Sequence, residues 1–230
     1  MLKIMKKNIC AILLLVSGVF LQAQQISVSE VARTARFSKI IDEVNNGKQK
    51  IKYSDIQGIP YYYANFVPAK IGDTSSIIPI RYNTFLDTVE VLDRTDVYEI
   101  PREESYPKFT FETTKERLVL VKTGNEFEGY FFELATGKYR LLKKVITKFQ
   151  DAIPAPNSLI PGTSARFDTE KPIYFIKSED KFIRLTKKTD DLLNALPADK
   201  KDAVKDFIKT NKTKLNQEND LIKLVNFLNN

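Results

Sequence analysis

Apolar and polar positions are patterned most strongly over residues 127–149, FEGYFFELATGKYRLLKKVITKF, where two strand-like runs flank Thr136-Gly137. The pattern predicts a long β-hairpin with a tight turn at those two residues. Leu134 opposite Tyr139 sets the expected register. Phe132 then meets Leu141 and Tyr130 meets Lys143 on one face, while Glu133 meets Arg140 and Phe131 meets Leu142 on the other. Both faces carry large apolar groups, so further strands must flank the hairpin and each face must be covered.

The run Leu118-Val119-Leu120-Val121 predicts a preceding strand, joined through Gly124-Asn125. Pairing Val121 with Glu128 sets Leu118 opposite Phe131 and Val119 opposite Tyr130, which completes a three-stranded meander with residues 127–134 in its middle. Residues 77–92 read as one or two strands, with Pro79 favouring an edge or a strand start. Residues 93–108 read as a charged connector. Residues 173–177 and 182–185 predict a second hairpin around Glu179-Asp180. Its register sets Ile176 opposite Ile183 and Tyr174 opposite Leu185 on an apolar face, and Phe175 with Arg184 and Lys177 with Phe182 on a face of cations and rings.

Between the two hairpins, residues 152–171 are punctuated by Pro154, Pro156, Pro161, Gly162 and, just beyond, Pro172. No clear period runs through them, so they are expected to form a long loop or an ordered arm lying along the sheet. A loop of that length is a site candidate by length alone. The tail is helical by its pattern. Thr189 can cap a short turn that ends at Pro197, Pro197 can start a helix through Thr210, and Asn216 can cap a third helix. In that third helix Leu221, Leu224, Val225 and Leu228 form one apolar stripe for docking.

The N-terminus reads differently. Lys3, Lys6 and Lys7 precede an apolar run over residues 9–21, then Gln22-Ala23-Gln24. This is the pattern of a Sec signal peptide with cleavage after Ala23, and the run is short for a membrane span. Cys10 lies early in that run, so no lipid-bearing or disulfide-forming cysteine is expected after processing. Residues 24–57 form a polar N-terminal segment, partly helical where Val31, Ala35, Ile40, Ile41 and Val44 recur before Asn45-Asn46-Gly47. The expected organisation is thus a removed leader (1–23), the N-terminal segment (24–57), an antiparallel β domain (58–186) and C-terminal helices packed on it (187–230). The expected fold class is α+β, a curved sheet or partly open barrel covered by helices.

Composition narrows the chemistry. Loss of the leader's three lysines lowers the net charge from +7 to +4, spread along the chain with no Arg-rich run or aromatic RNA-binding signature, which disfavours nucleic acid. Beyond residue 23 there is no His, Cys, Met or Trp, so the usual Ser-His and Cys-His nucleophile pairs and most zinc sites are excluded. Ser178-Glu179-Asp180-Lys181 fits S-x-x-K and Lys122-Thr123-Gly124 fits K-T-G, but in the wrong order and on a turn instead of a helix start. No G-x-S-x-G, phosphate loop or dinucleotide glycine pattern occurs. A carboxylate pair acting on a sugar, or a hard cation held by oxygens, is what remains of enzyme-like chemistry. Asp93, Asp96, Glu99, Glu103 and Glu104 cluster, but Arg94, Arg102 and Lys108 interleave with them as in a solvated charged loop. Tyr61, Tyr62 and Tyr63 could stack a sugar, although strand alternation would split them between faces. Lys201, Lys205, Lys209 and Lys212 line one side of the second helix, as a solvated face or a surface steering the protein to an acidic partner. Asn211-Lys212-Thr213 and Asp87-Thr88-Val89 match short glycosylation patterns.

The end of the leader at Ala23-Gln24-Gln25, Gly58-x-Pro60-Tyr61, Arg81-Tyr82-Asn83, the run from Gly129 to Leu134 with Gly137-Lys138, and the tail over 187–229 together resemble uncharacterised exported β-rich proteins of Bacteroidetes. The resemblance implies export and a β-rich fold and assigns no catalytic, cofactor-binding or metal-binding residue. The expectation is therefore a non-enzymatic protein of the periplasm or cell surface with a binding or structural role. Its partner would be another envelope protein, a glycan or a lipid, with no transmembrane segment after leader cleavage. The alternative is a binder, carrier or hydrolase holding a glycan or lipid in the sheet concavity.

Overall fold

The computed structural model describes residues 56–157, 159–179 and 181–230; the expected leader and the expected helix over residues 31–44 lie outside them. The fold is α+β. Its strands are β1 (Val67–Ile71), β2 (Ile77–Asn83), β3 (Thr88–Asp93), β4 (Asp96–Ile100), β5 (Lys108–Phe111), β6 (Arg117–Val121), β7 (Gly129–Ala135), β8 (Arg140–Lys144), β9 (Thr147–Gln150), β10 (Arg166–Thr169), β11 (Ile173–Lys177) and β12 (Phe182–Arg184). Three helices follow: α1 (Thr189–Ala195), α2 (Ala198–Asn211) and α3 (Glu218–Asn229). Ten strands form one antiparallel sheet in the order β12-β11-β8-β7-β6-β5-β1-β2-β3-β4, and β9 pairs with β10 in a separate ribbon.

The sheet is rolled. Tyr82 on β2 and Tyr130 on β7 are separated by three strands, which in a flat sheet would set them roughly 19 Å apart. Their ring centroids are 6.1 Å apart. The rolled interior is occupied by Ile80, Tyr82, Phe109, Phe111, Tyr130 and Phe132, all essentially without solvent contact. On β1, β2, β3 and β5 the alternation is largely apolar-in and polar-out, which suits a single-sided closure, whereas β6 and β7 are apolar on both faces. The opposite face of β6 to β8 and β11 carries a second cluster of Val119, Val121, Phe131, Leu142 and Phe175. Where β8, β11 and β12 extend past the roll, the helices cover the sheet. The expected stripe of Leu221, Leu224, Val225 and Leu228 docks there against Leu141, Ile176 and Leu185.

Several expectations on register are corrected by the structure. In the central hairpin Phe132 pairs with Lys143 and Glu133 with Leu142, two residues away from the expected pairing, with a bulge before Ala135. The cause lies far along the chain. Instead of a tight turn at Thr136-Gly137, a longer loop is held by Asn229, whose side chain accepts from Tyr139 N at 2.8 Å and donates to the carbonyls of Thr136 and Tyr139 at 3.1 and 2.8 Å. Phe131 lies opposite Val119, not Leu118, and Tyr130 opposite Leu120, a one-residue shift. Gly129 sets that shift: its φ is +133° and a Cβ there would collide with the Asp87 carboxylate. The strand expected to run on to Phe149 breaks after Lys144, and β9 leaves the sheet.

The second hairpin keeps its expected register, with Ile176 opposite Ile183, Phe175 opposite Arg184 and Lys177 opposite Phe182. Pro79 does not lie on an edge, because β2 runs between β1 and β3; it sits near the strand start, before the pairing with β3 begins at Ile80. The charged connector contains strand β4, the sheet's outer edge, and β5 starts at Lys108. The proline-rich residues are no patternless loop. The β9–β10 ribbon continues through antiparallel bridges between Ile153 and Thr163 and between Asn157 and Ile160, so they form a hairpin arm. Lys188, Pro197 and Gln217 take the helix N-cap positions without side-chain cap bonds, in place of the expected Thr189 and Asn216. Among the described residues no helix is long and apolar enough to cross a membrane.

Candidate functional site

At one mouth of the rolled sheet a cleft of about 280 Å³ is lined by Tyr61, Tyr62, Thr84, Lys143, Val145, Thr169, Glu170 and Pro172. Its wall begins with the chain ahead of β1. Tyr61 bridges Asn83 and the Tyr62 amide donates to the Tyr82 carbonyl at 2.9 Å, which fastens this irregular segment along the end of β2. Because the segment bends, the three tyrosines do not alternate as they would in a strand. Tyr61 lies under the Arg81 guanidinium, 3.6 Å from the ring centroid. Tyr62 packs on Phe132 at 4.3 Å, and Tyr62 and Tyr63 meet edge to face at 4.8 Å. Both of the latter phenols donate to Glu116, Tyr62 to Oε1 at 2.9 Å and Tyr63 to Oε2.

Lys143 is the polar centre of the cleft. It is 7% exposed, and Nζ lies 3.2 Å from Glu218 Oε2, which also accepts from the Tyr174 phenol at 3.1 Å. Glu218 opens α3, where a carboxylate complements the positive end of the helix. The same ammonium lies 5.2 Å from the Phe132 ring centroid and 5.9 Å from that of Tyr62. On the arm side three hydroxyls form a chain. Thr84 Oγ1 donates to the Pro60 carbonyl at 3.0 Å and is 2.7 Å from Thr147 Oγ1, which is 3.0 Å from Thr169 Oγ1. Each hydroxyl has one proton, so Thr147 donates to Thr84 and Thr169 to Thr147. Thr169 Oγ1 therefore presents lone pairs to the cleft, beside the Glu170 carboxylate that pairs with Lys148 at 2.5 Å.

The phenols around these carboxylates are held protonated. Burial, then the hydrogen bond and charge of Glu116, raises Tyr62 well above its ordinary value; Tyr63 moves the same way. Burial, then the charge of Glu218, pushes Tyr174 up to about 12, and burial followed by the charge of Asp87 raises Tyr130. A folded pKa above the unfolded 10.0 contributes stability that is complete below pH 10 and is lost as pH rises toward 12. Of the ten tyrosines, Tyr62, Tyr130 and Tyr174 should therefore ionise late in a phenolate absorbance titration. Stability to urea should fall across that same window. A single titration step for all tyrosines in the folded protein would contradict it.

The other sequence candidates are engaged elsewhere. Ser178 and Lys181 close the β11–β12 turn, with Lys181 Nζ donating to the Ala195 carbonyl at 2.7 Å; Asp180 is outside the described residues. Lys122 pairs with Glu104 at 2.7 Å, and the Thr123 hydroxyl donates to Asn125 at 2.8 Å. Glu99 lies opposite Glu90 across β3 and β4, and burial raises its pKa. Asp93 and Asp96 face each other at the β3–β4 turn. Asp87 and Thr88 are buried, which closes the Asp87-Thr88-Val89 pattern to modification, and the Asn211 side chain is turned back onto the Phe207 carbonyl at 2.9 Å. Lys205 and Lys209 are exposed on α2 and Lys212 at its C-cap, and Lys201 is partly exposed. Lys143 was not among the sequence candidates. The signal for it is two adjacent lysines, 143 and 144, set between the apolar pairs Leu141-Leu142 and Val145-Ile146.

No protein-family model matches this chain, and neither curated proteins nor solved structures provide a match.

Proposed function

We propose that the chain is a non-enzymatic exported envelope protein, of the periplasm or cell surface, that binds a short saccharide in the cleft beside Lys143. The observation that carries this reading is the gathering, in one cleft, of the Tyr61 and Tyr62 rings, the Lys143 ammonium, the Thr169 lone pairs and the Glu170 carboxylate. A sugar ring needs that mixture: an aromatic face for its C–H surface, and donors and acceptors side by side for its hydroxyls. The volume of about 280 Å³ lies just below the roughly 300–1,000 Å³ of small-molecule sites, which suits one ring or the end of a chain. The location rests on the sequence alone, on the signal-peptide pattern expected over residues 1–23 and on the resemblance to exported β-rich proteins of Bacteroidetes.

A hydrolase or an internal carrier is less well supported. Asp87 in the β2–β3 turn and Glu133 on β7, both buried, are each held between two cations, Arg102 and Lys144 in one case and Arg117 and Arg140 in the other. The rolled interior that a carrier would need is filled by its own rings. The test is a glycan array followed by calorimetric titration of any saccharide captured. Lys143→Gln, Tyr61→Ala and Thr169→Val should each weaken binding about tenfold or more, equal to about 1.4 kcal/mol, while Tyr98→Ala on β4 should not. Binding insensitive to all three cleft substitutions, or turnover of the bound saccharide, would remove this reading.

A further inference from the structure

The arm beyond β9 and β10 differs from the rest of the molecule in charge, exposure and backbone bonding. Residues 152–165 contain no Asp, Glu, Lys or Arg, in a chain where those types make up 28% of residues. Every described residue from 153 to 164 is exposed, on both strands, so the ribbon stands off the body. Ile153, Leu159 and Ile160 are 64%, 90% and 54% exposed, three of the seven large hydrophobic side chains exposed among the described residues.

Part of its backbone is already satisfied within the arm. Pro154, Pro156 and Pro161 have no N–H to satisfy. The amides of Ile153 and Thr163 donate to each other's carbonyls at 2.9 and 2.8 Å, and those of Leu159 and Ile160 both donate to Asn157 Oδ1 at 3.0 Å. Gly162 permits this close approach, since a Cβ there would lie 2.5 Å from the Ile153 carbonyl oxygen. Charges return only at the base, with Asp151 on one strand and Arg166 on the other.

We propose that this arm inserts its tip into the interfacial layer of a lipid bilayer. Leaving water costs most for charges and for unpaired backbone donors, and this segment has shed the first and, through three prolines and four bonded amides, reduced the second. A protein groove supplies hydrogen-bond partners of its own and does not require that preparation, whereas lipid does. The three exposed aliphatic side chains provide the apolar area that holds such a tip in the interface. The inference is independent of what the cleft binds, and vesicles test it separately.

The chain contains no tryptophan, so Leu159→Trp introduces a single reporter at the tip. The full chain, as the exporting host processes it, is mixed with vesicles of phosphatidylcholine, alone or with phosphatidylglycerol. Emission from Leu159→Trp should shift to the blue with both vesicles and become quenched by brominated acyl chains, while Lys181→Trp should do neither. Ile160→Asp should abolish the shift and vesicle co-sedimentation while leaving the circular dichroism and thermal unfolding unchanged, because the residue is exposed. An unshifted emission overturns the proposal. So does a shift confined to anionic vesicles and lost in salt, which would assign binding to the lysine surfaces. A blue shift that grows with protein concentration without vesicles also overturns it, in favour of a second copy as the occupant.

Discussion

Replacing Asp87 by alanine should destabilise the protein by about 3–5 kcal/mol, the loss expected when one partner of a buried ion pair is removed. Asp87 sits in the β2–β3 turn with 2% of its surface exposed, and it gathers groups from four directions. Its Oδ2 is 2.9 Å from Lys144 Nζ and 3.1 Å from Arg102 Nη1; Oδ1 accepts from the Tyr82 phenol at 2.6 Å; and the Tyr130 amide lies 3.3 Å from both oxygens. Lys144 also donates to the Tyr130 carbonyl at 2.9 Å and lies over the Phe131 ring. The carboxylate thus ties the β2–β3 turn to β7 and β8 and closes one end of the roll. Without it the buried Lys144 and the partly buried Arg102 lose the carboxylate they share. Arg102 already has its guanidinium pushed below the usual range by burial. Adding Lys144→Met to Asp87→Ala should recover part of the loss by removing one of those cations. Gly129→Ala should fall in the same severe class, since its Cβ would enter the space of the same carboxylate. Urea unfolding measures all three. A cost below about 1 kcal/mol for Asp87→Ala would mean that other groups, not Asp87, stabilise the Lys144 ammonium.

How much of this was legible depends on how local the cause is. The β11–β12 hairpin could be read residue by residue because its register is set by apolar pairs a few positions apart around a short turn. The central hairpin could be read only as a hairpin. Its loop is fixed by Asn229 at the end of α3, and no local pattern announces a partner that distant. Strand β4 reads as a charged connector because an outer edge strand faces solvent along most of its length, so its four exposed residues carry no inward signal. The arm reads as a loop because its prolines erase the two-residue period while leaving the cross-strand bridges in place. At the cleft, the tyrosines at 61 to 63 were candidates from the sequence, but strand alternation assigned Tyr62 and Tyr63 to opposite faces. The bends there bring both onto Glu116 instead. Lys143 was assigned to a strand pair with Tyr130, and only the approach of Glu218 from a helix some seventy residues later gives it a polar environment.

Phe131→Ala is the second substitution expected to be severe, at about 3–5 kcal/mol, against less than about 0.5 for the exposed Lys181→Ala. Phe131 has no solvent exposure and packs edge to face on Phe175 at 5.6 Å and Phe182 at 5.8 Å. Truncation removes the ring at the centre of the cluster formed with Val119, Leu142 and Phe175, and strands on both sides are held by their main-chain bonds, so the space collapses poorly. The magnitude alone does not identify the register; coupling does. Val119 lies directly opposite Phe131 and in the same cluster, whereas Leu118 pairs with Phe132 and packs inside the roll. Val119→Ala and Phe131→Ala should therefore couple by about 0.5–3 kcal/mol in a double-mutant cycle, while Leu118→Ala and Phe131→Ala should add. A one-residue slip exchanges the two faces of β6, so it predicts the reverse. Coupling through Leu118 together with additivity at Val119 would restore the register read from the hydrophobic pattern, and with it a Gly129 that has no reason to lie against Asp87.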